Sequence, residues 1–194
     1  MESCEIENDI IYDCTTPPIA GVQDEIIVIP RRSIVDGGVT INATNHLIVE
    51  DIELESGERG YKYTGNGKLR TLTDQMVKDD SGTRYLHGIP FMIYGATPVI
   101  KKELENLANE VEGVVVILKQ NYTGTGGNSR YAVLGKDCGL FLRLAESTDG
   151  KAIYTLELFS VADFEEPHRV ANFYLTSPAV TKAAVEALLI ADTA

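Results

Sequence analysis

Alternation of apolar and polar residues is the strongest pattern in the chain, and it is clearest within Arg130–Val161. Two segments there place an apolar residue at every second position, which predicts two strands with one buried face. That face comprises Leu140, Leu142, Leu144, Tyr154, Leu156 and Leu158. A three-residue loop, Thr148-Asp149-Gly150, would set Leu142 opposite Leu156, whereas a two-residue loop would turn the leucines to the wrong face. The pattern therefore predicts a hairpin with the three-residue loop.

Short apolar runs bounded by turn residues predict further strands. They span Asp24–Ile29, Val39–Asn42, His46–Leu54, Thr83–Gly95, Val114–Leu118 and Arg169–Leu175. The apolar phase changes within His46–Leu54, which indicates a bulge or a strand buried on both faces. Pro90 cannot donate to a β-ladder, so its strand lies at an edge or carries a bulge. Asp36-Gly37-Gly38 is predicted to be a turn, and Val114–Leu118 a central strand.

Two segments carry helix signals. Thr97 is a predicted N-cap, Pro98 occupies the first helical position, and Gly113 is the stop signal. Residues 177–194 repeat the pattern with Ser177 as the cap, but they are rich in alanine, so this helix is expected to dock only lightly. The fold class is therefore α+β, mainly an antiparallel β sandwich or barrel with one flanking helix.

Ser56–Gly82 is a long polar stretch with a tight-turn signal, Gly65-Asn66-Gly67, near its centre. We predict a long hairpin or loop that projects from a single domain spanning residues 1–194. Such a stretch has little to pack against within one chain, so we expect it to contact another subunit. The predicted contact residues are Tyr61, Lys62, Tyr63, Asn66, Lys68 and Arg70. A surface loop without a partner is the alternative.

Composition narrows the classes of function. The formal net charge of −12 argues against a groove that grips nucleic acid and against an anionic membrane surface. The start of the chain lacks the features of a secretory signal, so we expect no secretion. Residues 1–23 form an acidic arm interrupted by Pro17-Pro18. Three widely spaced cysteines, Cys4, Cys14 and Cys138, do not suggest a disulfide framework.

No pattern of catalytic, cofactor-binding or metal-binding residues stands out. Gly124–Gly127 lacks the lysine and the following helix of a phosphate-binding loop. The histidines His46, His87 and His168 are isolated in sequence, although His87 and Cys138 could meet in space. Glu165-Glu166 beside His168 could bind a metal, but the segment is more typical of a solvated turn. We therefore expect a protein that is not an enzyme and that uses neither a cofactor nor a metal.

Three features together resemble the tail-tube proteins of long-tailed bacteriophages. They are an antiparallel sheet domain with a helix between its halves, the long polar stretch Ser56–Gly82, and the run YAVLGKDCGLFLRLAES…GKAIYTLELFSV after a glycine-rich loop. The run is similar to virion structural proteins of phages and prophages of Bacteroides-like bacteria. The acidic segment with Pro17-Pro18 has no counterpart in that pattern.

The resemblance implies homo-oligomeric rings, hexameric in that family, that stack into a virion tube through which DNA passes. It implies tape-measure, terminator and baseplate proteins as partners, with synthesis in the cytoplasm of the bacterial host and no membrane contact. Arg143, Thr155 and Glu157, opposite the leucine face, are the predicted lumen residues. The alternatives are a neck, connector or tail-terminator ring subunit, or a stand-alone β-rich binding domain.

Overall fold

The structure, a computed structural model, describes residues 21–65, 71–80, 82–95, 97–147 and 153–191, and strands make up 48% of it. The strands are β1 (Val22–Pro30), β2 (Ile34–Ile41), β3 (Ile48–Leu54), β4 (Tyr61–Thr64), β5 (Thr73–Asp79), β6 (Gly82–Tyr94), β7 (Val114–Gln120), β8 (Tyr131–Leu134), β9 (Phe141–Ser147), β10 (Ile153–Phe159) and β11 (Ala171–Phe173). The helices are α1 (Pro98–Ala108) and α2 (Pro178–Ala187). Cys4, Cys14 and all but the last residues of the predicted arm lie outside the described residues.

The strands form two sheets. The large sheet has the order β2-β3-β11-β8-β7-β1-β4, and the small sheet has the order β5-β6-β10-β9. Neighbouring strands are antiparallel in both sheets except for β3 and β11, which are parallel. Mostly antiparallel β structure was predicted, and it is confirmed; the parallel pair was not predicted.

Two apolar cores lie on opposite faces of the large sheet. The first core lies between the two sheets and includes Val116 and Leu118 of β7 with Phe91 of β6. The second core lies on the other face and includes Val115 and Ile117 of the same strand. All five residues of Val114–Leu118 are buried, because alternate side chains enter alternate cores. The prediction of a central strand is confirmed.

The two helices each cover part of a core. In α1, Thr97 Oγ1 accepts a hydrogen bond from the Ile100 N–H, as expected of the N-cap, and buried Leu104 and Leu107 enter the first core. In α2, Val185 and its neighbour Leu188 enter the second core. The expectation that this segment docks only lightly is therefore wrong, since its apolar stripe covers one face of the large sheet. Within the described residues, no helix is long and apolar enough to cross a membrane.

The segment Ser56–Gly82 does not form a projecting hairpin across its described residues. Its first strand, β4, pairs with β1 in the large sheet, whereas its second strand, β5, pairs with β6 in the small sheet. The segment therefore crosses from one sheet to the other. The prediction failed because polar residues indicate which side chains are exposed, but they do not indicate which strands pair with each other.

The predicted register of the β9–β10 hairpin is also wrong. Tyr154 pairs with Ser147, and Leu142 pairs with Leu158 instead of Leu156. A bulge at Arg143 shifts the register by one residue between these pairs. Without that bulge Leu142 would face Phe159, on the side away from the core, so the bulge returns the leucine to the core face.

Bulges also occur where β2 pairs with β3, and they explain the change of apolar phase within β3. The register of β2 against β3 shifts between Ile34 and Val39, so Asp36-Gly37-Gly38 lies inside β2 as an irregularity instead of a turn between strands. A second shift leaves Glu50 of β3 without an opposite residue, which accounts for the phase change noted in the sequence.

Candidate functional site

The residues predicted for subunit contact are divided by the structure. Tyr61, Lys62 and Tyr63 belong to β4, and Asn66, Lys68 and Arg70 lie in the undescribed gap 66–70. Lys62 Nζ forms an ion pair with Glu25 Oε2 at 2.7 Å, and the Tyr63 hydroxyl donates to Glu103 Oε1 at 3.0 Å. Burial and the nearby Glu103 carboxylate raise the pKa of Tyr63. The described part of this set is thus engaged with its own chain.

The predicted lumen residues Arg143, Thr155 and Glu157 come together on one face of the small sheet. Thr155 and Glu157 alternate along β10 with the fully buried Leu156 and Leu158, so they point away from the first core. Arg143 stands at the β9 bulge, with its guanidinium carbon 5.5 Å from the centre of the Phe159 ring. A cation over an aromatic face is attractive and holds the arginine on this same outer face.

The small sheet ends in two edge strands of equal length, β5 and β9. Among the described strands, each pairs on one side only, with β6 and β10 respectively. Met76 of β5 is 52% exposed, and Ala145 and Glu146 of β9 are exposed. An exposed edge presents a row of unpaired N–H and C=O groups, which is a template for pairing with another chain.

The two edges of the large sheet are shorter or distorted. β4 has four residues, and β2 carries the bulge at Gly37-Gly38. Short strands and bulges are the features that prevent edge-to-edge association in β proteins. Of the four edges of the described sheets, β5 is the most regular, and β9, with one bulge at Arg143, is less distorted than β2.

The directions of the small-sheet strands alternate. Because β5-β6-β10-β9 contains four strands in antiparallel sequence, the edge strands β5 and β9 run in opposite directions. A copy of the chain placed beside the first by rotation would thus offer its β5 antiparallel to the first copy's β9. The arrangement can extend without breaking the alternation of strand direction.

A second polar feature lies where the two sheets meet. Glu166 is fully buried and its carboxylate accepts the Cys138 N–H at 2.7 Å through Oε1 and the Asp137 N–H at 3.0 Å through Oε2. Its backbone pairs with Tyr85 of β6. Burial raises the pKa of Glu166 to about 6, against the lowering effect of the two N–H donors. The prediction of a solvated turn at Glu165-Glu166 is therefore wrong for Glu166.

His87 and Cys138 are each bonded to the backbone in this region. His87 is 1% exposed, and its Nδ1 accepts the Gly135 N–H at 3.4 Å. Burial lowers the pKa of His87 to about 4, so the ring is neutral at pH 7. The Cys138 thiol donates to the Glu165 carbonyl at 3.3 Å, and burial raises its pKa. A thiol with a raised pKa is a poor nucleophile. The contacts given for His87 and Cys138 are to backbone groups and not to each other, so they do not support a Cys138–His87 catalytic pair.

Two clefts on the surface lack, in the described part of the chain, the grouped reactive side chains that are typical of an active site. The larger, of about 610 Å³, lies between α1 and strands β1 and β4, where Arg32 pairs with Glu110 at 3.1 Å. Another, of about 550 Å³, lies beside β2 and includes Lys136 and Asp137. Neither cleft has a histidine or cysteine among its described lining residues. Within the described ranges, no three His, Cys, Asp or Glu residues are grouped so that they could hold a metal ion.

Comparison with family models, with curated proteins and with solved structures gives no significant match.

Sequence analysis missed the role of Glu166, since Glu165-Glu166 with the following Pro167 has the composition of an exposed turn. A signal does exist in the partner loop. Gly135 and Gly139, with φ of 71° and 84°, bracket Lys136-Asp137-Cys138. Tight loops framed by glycines in the left-handed region direct consecutive N–H groups inward and can bind an anion, here a carboxylate from the same chain.

Proposed function

We propose that this chain is a virion structural protein whose copies join through the edges of the small sheet into closed rings, which stack as a phage tail tube. One observation carries the proposal. The small sheet has two edges, β5 and β9, that are extended, exposed and opposite in direction. The edges of the large sheet differ from these, because β4 has only four residues and β2 has two register shifts, against one in β9 and none in β5.

Ring closure follows from the strand directions. Rotation about one axis brings β9 of each copy antiparallel to β5 of the next, and a closed ring leaves no edge strand exposed. With six copies, as the resemblance implies, the four-stranded sheets would form a barrel of 24 strands. At a strand spacing of about 4.8 Å, such a barrel has a backbone diameter of about 37 Å before strand tilt widens it. An opening of that size accommodates double-stranded DNA.

The charge of the chain suits a conduit for DNA. The outer face of the small sheet, which would line the bore, contains Thr155 and Glu157, and Arg143 is held there over Phe159. The chain carries a formal net charge of −12. Tight binding of DNA requires clustered lysine and arginine, and the three residues named on this face include a single arginine beside a glutamate, so they form no such cluster. The partners would be further copies of the chain and the tape-measure, terminator and baseplate proteins of the virion.

A stand-alone β-rich binding domain is the second candidate, and one observation favours it. Both described strands of Ser56–Gly82 pair with strands of their own chain, so this segment satisfies much of its backbone without a neighbour. The bridging role predicted for it is therefore not part of the proposal. A neck, connector or terminator ring would use the same edges but would not stack into a tube.

The test is to measure the mass of the assembly and to image it by electron microscopy for the wild type and two edge variants. Met76→Lys on β5 and Ala145→Lys on β9 place a charge on each exposed edge, and both side chains are largely solvent-exposed in a single chain. We expect rings or tubes for the wild type and folded 21.2 kDa monomers for the variants.

Val99→Lys is the matched control. Val99 is an apolar residue on α1 that is 78% exposed and belongs to neither edge strand, so this variant should assemble like the wild type. Single rings without tubes would favour the neck or terminator alternative. A wild-type protein that stays monomeric at all concentrations would contradict the proposal and favour the stand-alone domain.

A further inference from the structure

The buried Glu166 carboxyl connects the two chain segments that cross between the sheets. Gly135–Gly139 leads from β8 of the large sheet to β9 of the small sheet, and the segment that contains Glu166 leads from β10 back to β11. The hydrogen bonds from Asp137 N–H and Cys138 N–H to Glu166 join these two crossings. The carboxyl therefore lies at a point where its protonation can alter how one crossing is held against the other.

The loop is held from several sides. Gly135 N–H donates to His87 of β6, Gly139 N–H donates to the Gly135 carbonyl at 3.0 Å, and Leu140 pairs with Val114 through two bonds of 2.8 Å. The Asp137 carboxylate lies beside that of Glu166, and Lys136 Nζ pairs with Asp137 Oδ2. Loss of one bond to Glu166 would therefore loosen the centre of the loop while both of its ends stay attached.

Charged groups surround this site on several elements. They are Asp74 on β5, Arg84 and His87 on β6, Arg31 before β2, Lys136 and Asp137 in the loop, and Glu165, His168 and Arg169 beside Glu166. Arg84 pairs with Glu165 at 3.4 Å and Arg169 pairs with Asp74 at 3.3 Å, so these two ion pairs offset much of the charge nearby. Asp137 is the acidic group in direct contact with Glu166.

We propose that Glu166 is a proton-controlled latch between the two sheets. In its ionised form the carboxylate accepts both the Asp137 and the Cys138 N–H. On protonation, a proton from solvent binds Oε2, the oxygen with the longer bond, and is donated to the Asp137 carboxylate. Protonation removes the charge that strengthens the hydrogen bond from the Asp137 N–H to Oε2, while Oε1 keeps the Cys138 N–H.

The position of the titration supports this latch. Burial and the neighbouring Asp137 carboxylate place the pKa of Glu166 at about 6, so the change falls between neutral and mildly acidic solution. His87 does not gain a proton in the same range, because burial lowers its pKa to about 4. The latch belongs to a single folded chain and does not depend on whether copies assemble.

Hydrogen–deuterium exchange of the full chain tests the latch in either oligomeric state. The protection of peptides covering Gly135–Gly139 is compared at about pH 5 and about pH 7, after correction for intrinsic exchange rates. We expect the wild type to lose the protection of about one amide at the lower pH. A β7 peptide, Val114–Gln120, should stay equally protected at both pH values.

Glu166→Gln should remove the pH dependence, and Glu165→Gln, a change at the adjacent carboxyl, should retain it. Equal protection of the wild-type loop at both pH values would overturn the latch. If Glu166→Gln does not fold, the wild type and Glu165→Gln still test the latch. Lower protection of the loop at about pH 5 than at about pH 7 in both proteins supports it, and equal protection overturns it. Assembly is not the readout, so failure of the latch and failure of the proposed ring are separate outcomes.

Discussion

The two sheets of this protein differ in how completely one chain satisfies them. The large sheet has apolar cores on both faces, and its edges are a bulged strand and a strand of four residues. The small sheet has one core face, an outer face on which Thr155 and Glu157 lie beside Ile153 and Phe159, and two seven-residue edges, of which β9 carries one bulge. We infer that the large sheet is the scaffold of the monomer, whereas the small sheet is the part that a second copy would complete.

Truncation in the core between the sheets should have the largest effect on stability. Phe91 on β6 is 1% exposed and packs in the first core. Phe91→Ala should lower the free energy of unfolding by about 3–5 kcal/mol, through lost burial and a residual cavity. Denaturant unfolding measures this, with Val99→Ala on the exposed side of α1 as the control. A loss below about 1 kcal/mol would mean that the small sheet does not depend on this core.

The difference in stability between the wild type and Glu166→Gln should depend on pH. A raised pKa means that Glu166 contributes stability below its unfolded pKa, and that this contribution is lost as pH rises through about 6. Relative to the variant, the wild type should therefore lose about 2 kcal/mol between about pH 4 and pH 7. The depressed pKa of His87 acts in the opposite direction, but it is common to both proteins and cancels. Parallel pH profiles from denaturant unfolding would contradict this expectation.

The bulge that protects the β2 edge can be tested by a pair of glycine substitutions. A Cβ at Gly38 would lie 2.8 Å from the Val35 carbonyl oxygen and 2.9 Å from the Glu53 carbonyl oxygen, so Gly38→Ala must displace backbone. We expect a loss of about 2 kcal/mol for that change. Gly37→Ala meets open space and costs about 1 kcal/mol through its φ of 72° alone. Thermal unfolding measures the loss of stability in each variant. A larger loss for Gly37→Ala than for Gly38→Ala would contradict the close packing of backbone around Gly38.

Loss of the α2 cap should have a smaller effect. Ser177 Oγ accepts the Val180 N–H at 3.3 Å, and α2 covers the second core. Ser177→Ala should reduce stability by about 1 kcal/mol. Ser177→Gly should cost only a few tenths of that, because glycine is tolerated at an N-cap. An equal loss in the two variants, measured by thermal unfolding, would argue against the capping contact.

The smallest expected effect is on assembly at the edge of the large sheet. Ile41 ends β2 and is 38% exposed. Ile41→Lys should leave the mass of the assembly unchanged, because the proposed ring pairs copies through β5 and β9 and leaves this edge out. Native mass measurement checks this, and dissociation by Ile41→Lys would show that the two sheets do not differ as described.

Local patterns predicted the elements whose environment is determined by their own residues. Val114–Leu118 is a central strand because five consecutive apolar side chains need two buried faces, and Thr97-Pro98 begins α1 because that pair suits the first turn. The prediction that the strand with Pro90 lies at an edge or carries a bulge is wrong for the strand as a whole, because β6 lies between β5 and β10 without a register shift. Pairing with β5 extends only as far as Gly88, so Pro90 itself pairs with β10 alone, as its missing N–H requires.

Pairings between distant segments were not predictable from the same patterns. The partners of β4 and β5 depend on backbone positions far along the chain, and polar composition cannot specify them. The burial of Glu166 likewise depends on a loop about 30 residues earlier, whose N–H groups stabilise the carboxylate. Thr155 and Glu157 lie on the face opposite Leu156 and Leu158, as alternation along β10 predicts. That this face lines a lumen stays a prediction.

Hydrogen–deuterium exchange of the assembled protein against the dissociated protein tests the central claim most directly. We predict that backbone amides of β5 and β9 gain protection on assembly, while amides of β2 and β4 keep the protection that they have in the single chain. Protection gained at β2 or β4, with β5 and β9 unchanged, would contradict the claim that the small sheet is completed by a second copy.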